Sequence, residues 1–379
     1  MERVKLPTLK GFNFKFDRDM IMPLSEEIEE FIIATPSLKR VKFTTQIPKD
    51  IQSNNIIEGI DDDIEAIRRI IGRKLIIDTN DNQDGKQKKV LNLYNAYRFI
   101  LEKKDIDKET LRELYRLISD GLIDPRDQAK MGEYYRRDEV CISNLTYFDE
   151  RITGVPYRIV DKYVDYLLEY IKTAKAENYT DSFIISQIVH FYLIFIHPYF
   201  DCNGRTSRTV AMWYLLNSKA NAFLNFNRSI PFSKGTYNKS INKSRATSDL
   251  THFVKYILET EKAQLEKDYI IASIEKSRGK DFTDDDYLLL EYFLSNKEVS
   301  SVLSLTTTFN RIGENRFRHL DIREKIQTFL DEGLIVSTGI TSKKLNNGEN
   351  NPILRLNREK FDIDPSKVSR LNLQNYINK

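Results

Sequence analysis

The run HPYFDCNGRTSR, residues 197–208, decides the reading of this chain. Before it stands SFIISQIVHFYLIFIH (182–197), apolar almost throughout, and after it a second apolar-rich segment passes through Trp213 and Leu216. Pro198 ends the first helix, and Asn203 and Gly204 fall where a second should begin. The expectation is a helix–loop–helix that gathers a base, an acid, two small polar positions and two arginines.

Working outward, Gly and Pro are scarce and amphipathic stretches dominate the first two-thirds, so the chain should be mostly helical. Helices are expected at 24–36 and 61–74, followed by a polar connector, KLIIDTNDNQDGKQKK (74–89). Further helical segments follow at 91–103, 107–122, 157–174 and 182–197. GEYYRRDEVCISNLTYF (132–148) differs, because its alternating, β-branched character suggests a short hairpin. After a charged helix at 252–277, the tail reads as three short helices (284–296, 300–306, 323–334) and two strands around a polar turn (334–357), the pattern of a winged helix. The expected domains are 1–90, 91–260 and 261–379.

The chemistry follows from residue types. The free N–H groups of a helix N-terminus at Asn203 and Gly204 would cradle phosphate oxygens. Arg205 and Arg208, three apart, would project from one helix face and reach further phosphates of the same chain. Asp201 beside such a cradle suits Mg²⁺, with Mn²⁺ as a substitute, since such hard cations bind one or two carboxylates together with substrate phosphates. His197 could take a proton from an attacking hydroxyl. His190, His252 and His319 read as structural or surface residues.

This run resembles the signature of the Fic family of protein adenylyltransferases, His-x-Phe-x-Asp/Glu-Gly-Asn-Gly-x-x-x-Arg. Tyr199 stands in the Phe place and Cys202 in that of the first Gly. If the latter position needs positive φ, Cys202 adds strain on the order of 1 kcal/mol. The resemblance implies a mostly α Fic-type helical bundle core with a short β-hairpin flap, here joined to a winged-helix-like α+β domain. Gly132 to Arg137, with Val140 and Ile142, resembles the flap that binds a target segment by strand addition. Asp249 to Phe253 resembles the close of the Fic core, and Tyr237 the aromatic near the adenine. Asn54-Asn55-Ile56-Ile57-Glu58-Gly59 is similar to the family's inhibitory motif, with Asn54 in its Ser/Thr place. There the glutamate pairs with the last arginine of the signature, here Arg208.

The implied reaction is transfer of AMP from Mg·ATP to a Tyr, Thr or Ser hydroxyl of another protein, with Glu58 restraining it. The alternatives are removal of AMP by the same site, and a winged-helix DNA-binding regulator with a Fic-like sensor core. The resemblance also allows a homodimer and auto-modification.

Bulk properties exclude other classes. The net charge of +3 over 379 residues gives no global basic field, and the tail from Gly279 balances 15 Lys and Arg against 15 Asp and Glu, so DNA is a disfavoured partner. Only Cys141 and Cys202 are present, which argues against a disulfide framework or a cysteine zinc site. With no signal-peptide core and no apolar run of about 18 to 20 residues, no membrane span is expected and a cytoplasmic location is.

Overall fold

The structure, a computed structural model, describes residues 1–34, 46–60, 64–76, 85–147, 150–174, 176–222, 226–228, 234–279, 319–342 and 351–357, with single positions at 230, 283, 286, 289, 290, 293 and 301. The chain is mostly helical, with short antiparallel strand pairs, and divides into two compact units, Met1–Lys262 and Ala263–Lys379.

In chain order the first unit contains β1 (Glu2–Pro7), β2 (Asn13–Phe16), α1 (Arg18–Ala34), α2 (Gln46–Ile57), α3 (Ile64–Ile76), α4 (Gly85–Glu102), α5 (Lys108–Ser119) and α6 (Pro125–Gln128). It continues with β3 (Cys141–Tyr147), β4 (Glu150–Thr153), α7 (Val160–Thr173), α8 (Tyr179–Ile196), α9 (Asn203–Asn217), α10 (Lys234–Thr247) and the first part of α11 (Thr251–Arg278).

The core is organised around α8. Asn178 caps its start by accepting the Asp181 N–H at 2.8 Å. From Thr180 onward every residue of this helix is buried, as expected when a helix is apolar all round. Contrary to the expectation from sequence, α8 is long and apolar enough to cross a membrane, with a mean hydropathy of 1.3 over 18 residues. Yet 94% of it is buried inside the protein, against α9, α1 and α7, as in the core helix of a packed domain.

The β1–β2 hairpin docks on this helix through Phe14, whose ring lies edge-on to Phe191 and Phe195 at 5.5 and 5.2 Å. Lys15 then ties the hairpin to the turn before α11, donating its N–H to Ser248 and accepting that of Leu250, both at 3.0 Å. On the other side of α9, Trp213 is fully buried against Phe99 of α4 and donates its indole N–H to Lys103 O at 2.7 Å. Burying both the large ring and its one polar group in a satisfied state fixes α9 against α4. Asp107 and Thr110 form a capping box at the start of α5.

In the second unit, α12 (His319–Asp331) leads into the antiparallel pair β5 (Ile335–Ser342) and β6 (Asn351–Leu356). Ile322, Ile326 and Phe329 of α12, Ile335 of β5 and Leu354 of β6 share one apolar core. The two helices expected at 284–296 and 300–306 lie, apart from single positions, outside the described residues.

Candidate active site

The loop between α8 and α9 is pinned from within. Asn203 accepts the Tyr199 N–H at 3.0 Å and donates its amide to Tyr199 O at 2.8 Å, so its side chain closes the turn while its backbone opens α9. Tyr199 is fully buried and stacks on Tyr115 at 3.5 Å between ring centroids. The loop enters and leaves through left-handed residues, His197 at φ 53° and Cys202 at φ 64°. Positive φ at Cys202 fits glycine better than any L side chain, so this residue carries strain of about 1 kcal/mol. Burial pushes its thiol up to about 12.

At the start of α9, residues 203–205 form the first turn, whose N–H groups have no intrahelical carbonyl to bond. The next N–H, of Thr206, reaches Cys202 O at 2.9 Å. The carboxylate of Glu58 lies beside this turn. Its Oε1 sits 2.6 Å from where a Cβ on Gly204 would stand, and 2.6 Å from Arg208 Nη2. Any side chain at 204 would displace it.

Glu58 is delivered by the way α2 ends. Gly59 takes φ 83°, the Ile60 N–H bonds Asn55 O and the Gly59 N–H bonds Ile56 O, both at 2.9 Å, which is a Schellman cap. A carboxylate is disfavoured at a helix C-terminus. Arg208 and the N-terminus of α9 offset that cost. Burial works against the charge on Glu58, but Arg208 and then Arg205 outweigh it and hold the carboxyl below its ordinary range. The stabilisation from a lowered carboxyl pKa is present above the unfolded value and is lost as pH falls through the folded one. The Glu58–Arg208 contact is therefore fully formed at neutral pH.

Arg208 is the hub of a buried polar chain. Its Nε donates to Asn54 Oδ1 at 2.6 Å, and it shares the cleft wall with Tyr237, whose hydroxyl lies 3.1 Å from His190 Nε2. The Asn54 amide donates to the Tyr97 hydroxyl at 2.8 Å; Tyr97 in turn donates to Asp50, which also accepts the Asn227 amide at 2.9 Å. Asp50, Asn54 and Glu58 are spaced i, i+4, i+8, one stripe along α2. Burial raises the Asp50 carboxyl to about 6, against the pull of Tyr97, Asn227 and Arg208.

His197 lines the same cleft, together with Glu58, Asp201, Gly204, Arg208 and Tyr237. Burial, then Arg245 and Arg136, push its imidazole down to about 3, against Ile194 O and Glu58. The ring is neutral at physiological pH. With Glu58 seated, the cleft encloses about 180 Å³. Sites for small molecules are usually about 300–1,000 Å³.

Of the residues expected to act, Ile142 lines the cleft with Cys141, whereas Val140 is buried and bonds the Gly154 N–H through its carbonyl at 3.3 Å. The hairpin itself is β3–β4, beginning at Cys141, and Gly132 to Arg137 is the irregular segment before it. Arg205 does not share the outlook of Arg208: it lies outside the cleft lining, buried, with Nη2 4.0 Å from Asp201 Oδ1. Asp201 stays 58% exposed at the mouth and accepts the Cys202 N–H at 2.5 Å. Among the described residues no group of three or more His, Cys, Asp or Glu converges. One exposed carboxylate beside an anion cradle fits a hard cation that takes its other ligands from substrate and water. Sequence reasoning missed Lys234 and Asn238, which line the cleft beside Tyr237 and Ile241. Their i, i+3, i+4, i+7 spacing was the available signal.

One comparison with known proteins covers this loop. Residues 105–215 match the model of the Fic/DOC family. The chain carries a Fic domain. A Fic family protein from Desulfovibrio desulfuricans G20 superposes with a TM-score of 0.54 at 21% identity, over 89% of this chain and 95% of that one, which shows the fold. Fic-1 from C. elegans gives a TM-score of 0.49 at 18% identity, over 69% of this chain and 73% of that one. A Fic domain containing signaling protein from Bacteroides thetaiotaomicron VPI-5482 gives 0.47 at 14%, over 68% and 99%. Fic domains generally transfer AMP or other nucleotide groups to proteins, with ATP as a substrate. The 197–208 run and both elements that flank it, α8 and α9, lie within the matched segment except for the last two residues of α9.

Proposed function

We propose that this protein transfers AMP from Mg·ATP to a hydroxyl side chain of another protein, and that Glu58 holds it in a low-activity state. The observation that carries this reading is the seat of Glu58: a carboxylate already rests at the N-terminus of α9 on Arg208, so the site selects an anion. The phosphates of ATP would take that place along the N–H groups of residues 203–205, with Arg208 on the terminal phosphate.

Asp201 would hold Mg²⁺, which offsets negative charge developing on the leaving diphosphate. His197 accepts the proton of the attacking hydroxyl as oxygen bonds to the α-phosphorus and the bond to the diphosphate breaks. Its neutral ring is in the required state, and the negative charge of the bound phosphates raises its basicity from the low value of the closed site. The target segment would be aligned along β3, with Ile142 facing the cleft, and Tyr237 would flank the nucleotide. Glu58, while seated, removes one Arg208 contact and repels the polyphosphate.

The test uses ATP labelled at either the α- or the γ-phosphate, with the Glu58→Gly protein and a cell extract as target source. Label entering protein from the α-position only, and falling by about 100-fold or more in Glu58→Gly/His197→Ala, is the expected result. Incorporation from the γ-position would replace this reading with phosphoryl transfer.

A further inference from the structure

The last turn of α8 presents carbonyls that no N–H of its own helix can reach. Their partners come from far away in the chain. Phe195 O accepts Arg245 Nη1 at 3.2 Å, Ile196 O accepts the Val155 N–H at 3.0 Å and His197 O accepts Arg136 Nε at 2.9 Å. Pro198 O, one residue on, takes the Arg136 N–H at 3.0 Å.

Both Nη groups of Arg136 and Nη2 of Arg245 go to the two flanks of the β3–β4 hairpin. Arg136 donates Nη1 to Asp138 O at 2.7 Å and Nη2 to Val155 O, and Arg245 donates Nη2 to Thr153 O at 2.6 Å. The Arg136 side chain is wholly buried, and its nearest carboxylate, Glu139, stands 3.9 Å away. A buried cation spent on backbone carbonyls from three segments defines geometry, because the planar fork fixes all its acceptors at once. Gly154 shows how tight the joint is: a Cβ there would meet Arg136 Nη2 at 2.7 Å and His197 Cβ at 2.9 Å.

We propose that Arg136 and Arg245 are positioning residues for His197, holding the left-handed turn from which its ring enters the cleft and coupling that turn to the end of the hairpin. The proposal rests on the reading of His197 as the base. The charged groups that act most on the ring are Arg245, Arg136 and Glu58, and Asp201, Arg208 and Lys234 line the same cleft. Burial, and then both arginines, keep the imidazole neutral, while the arginines fix its place.

Two substitutions in the full-length Glu58→Gly protein separate these effects. Arg136→Lys keeps a cation but cannot span three carbonyls; kcat is expected to fall tenfold or more, with KM for ATP within twofold. Arg245→Gln, at a half-buried position, removes charge; the acid limb of the rate profile and the His197 ring titration, followed by NMR and assigned with His197→Ala, should both move to higher pH. Wild-type kcat in the first together with an unmoved His197 titration in the second would overturn the proposal. Should Arg136→Lys not fold, Arg245→Gln decides alone. Should the parent protein transfer no label, the proposed function fails, and the ring titration still decides whether the arginines set the state of His197.

Discussion

Arg205 and Arg208 stand three residues apart on α9, each 3% exposed, and they differ in almost everything else. Arg208 meets a carboxylate, an amide oxygen and a phenol. Arg205 pairs with Asp201 at 4.0 Å and acts on Glu58 from further off, and its Nε and Nη1 are buried without a hydrogen-bond partner among the described residues. Buried donors left unsatisfied are costly and persist where something else requires them. The contrast separates a charge met closely by the protein's own carboxylate from one held only loosely, at 4.0 Å, by Asp201.

Substitution of both arginines by a residue of similar length breaks or sharpens this contrast. Arg208→Met strands Glu58 beside a helix end and should destabilise the folded protein by about 3–5 kcal/mol in denaturant titrations. Arg205→Met should leave the ATP-free protein unchanged or slightly more stable while weakening ATP binding, measured calorimetrically. Equal losses of stability would mean that the two sites are alike and that the loosely held charge is structural as well.

The anchor of the occupied side is Asp50. A carboxyl raised by burial to about 6 costs stability when ionised, so this contribution improves as pH falls through 6 toward the ordinary carboxylate range. Asp50→Asn should therefore stabilise the protein at pH 7.5 by about 2–3 kcal/mol and flatten its stability profile between pH 7 and 5. An unchanged profile would show that the chain from Asp50 to Arg208 does not carry that strain. The smallest effect is expected at the loop itself: Cys202→Gly relieves the left-handed side chain and should raise stability by about 1 kcal/mol at most, offset in part by glycine's greater freedom when unfolded.

Much of the site was legible because its parts are local. The apolar α8 segment, the turn at 197–203 and the helix after it follow from the local sequence, whereas Glu58 was found only through the resemblance of residues 54–59 to a family motif. Other parts were not. Arg205 and Arg208 share a spacing that predicts a common face, and only packing sends one inward to Asp201 and the other to α2. Arg136 and Arg245 bond carbonyls, an acceptor every residue carries, so no sequence pattern announces them. Asn203 reads as a phosphate residue but spends its side chain on Tyr199, while Lys234 and Asn238 were hidden in a polar helix whose buried face is short.

The most direct test of the account is the initial rate of AMP incorporation from α-labelled ATP by the wild-type and Glu58→Gly proteins at saturating ATP. The account predicts a rise of about tenfold or more, the release of at least about 1.4 kcal/mol of restraint. A rate equal to or below wild type would contradict it, leaving Glu58 as a structural partner of Arg208 and nothing more.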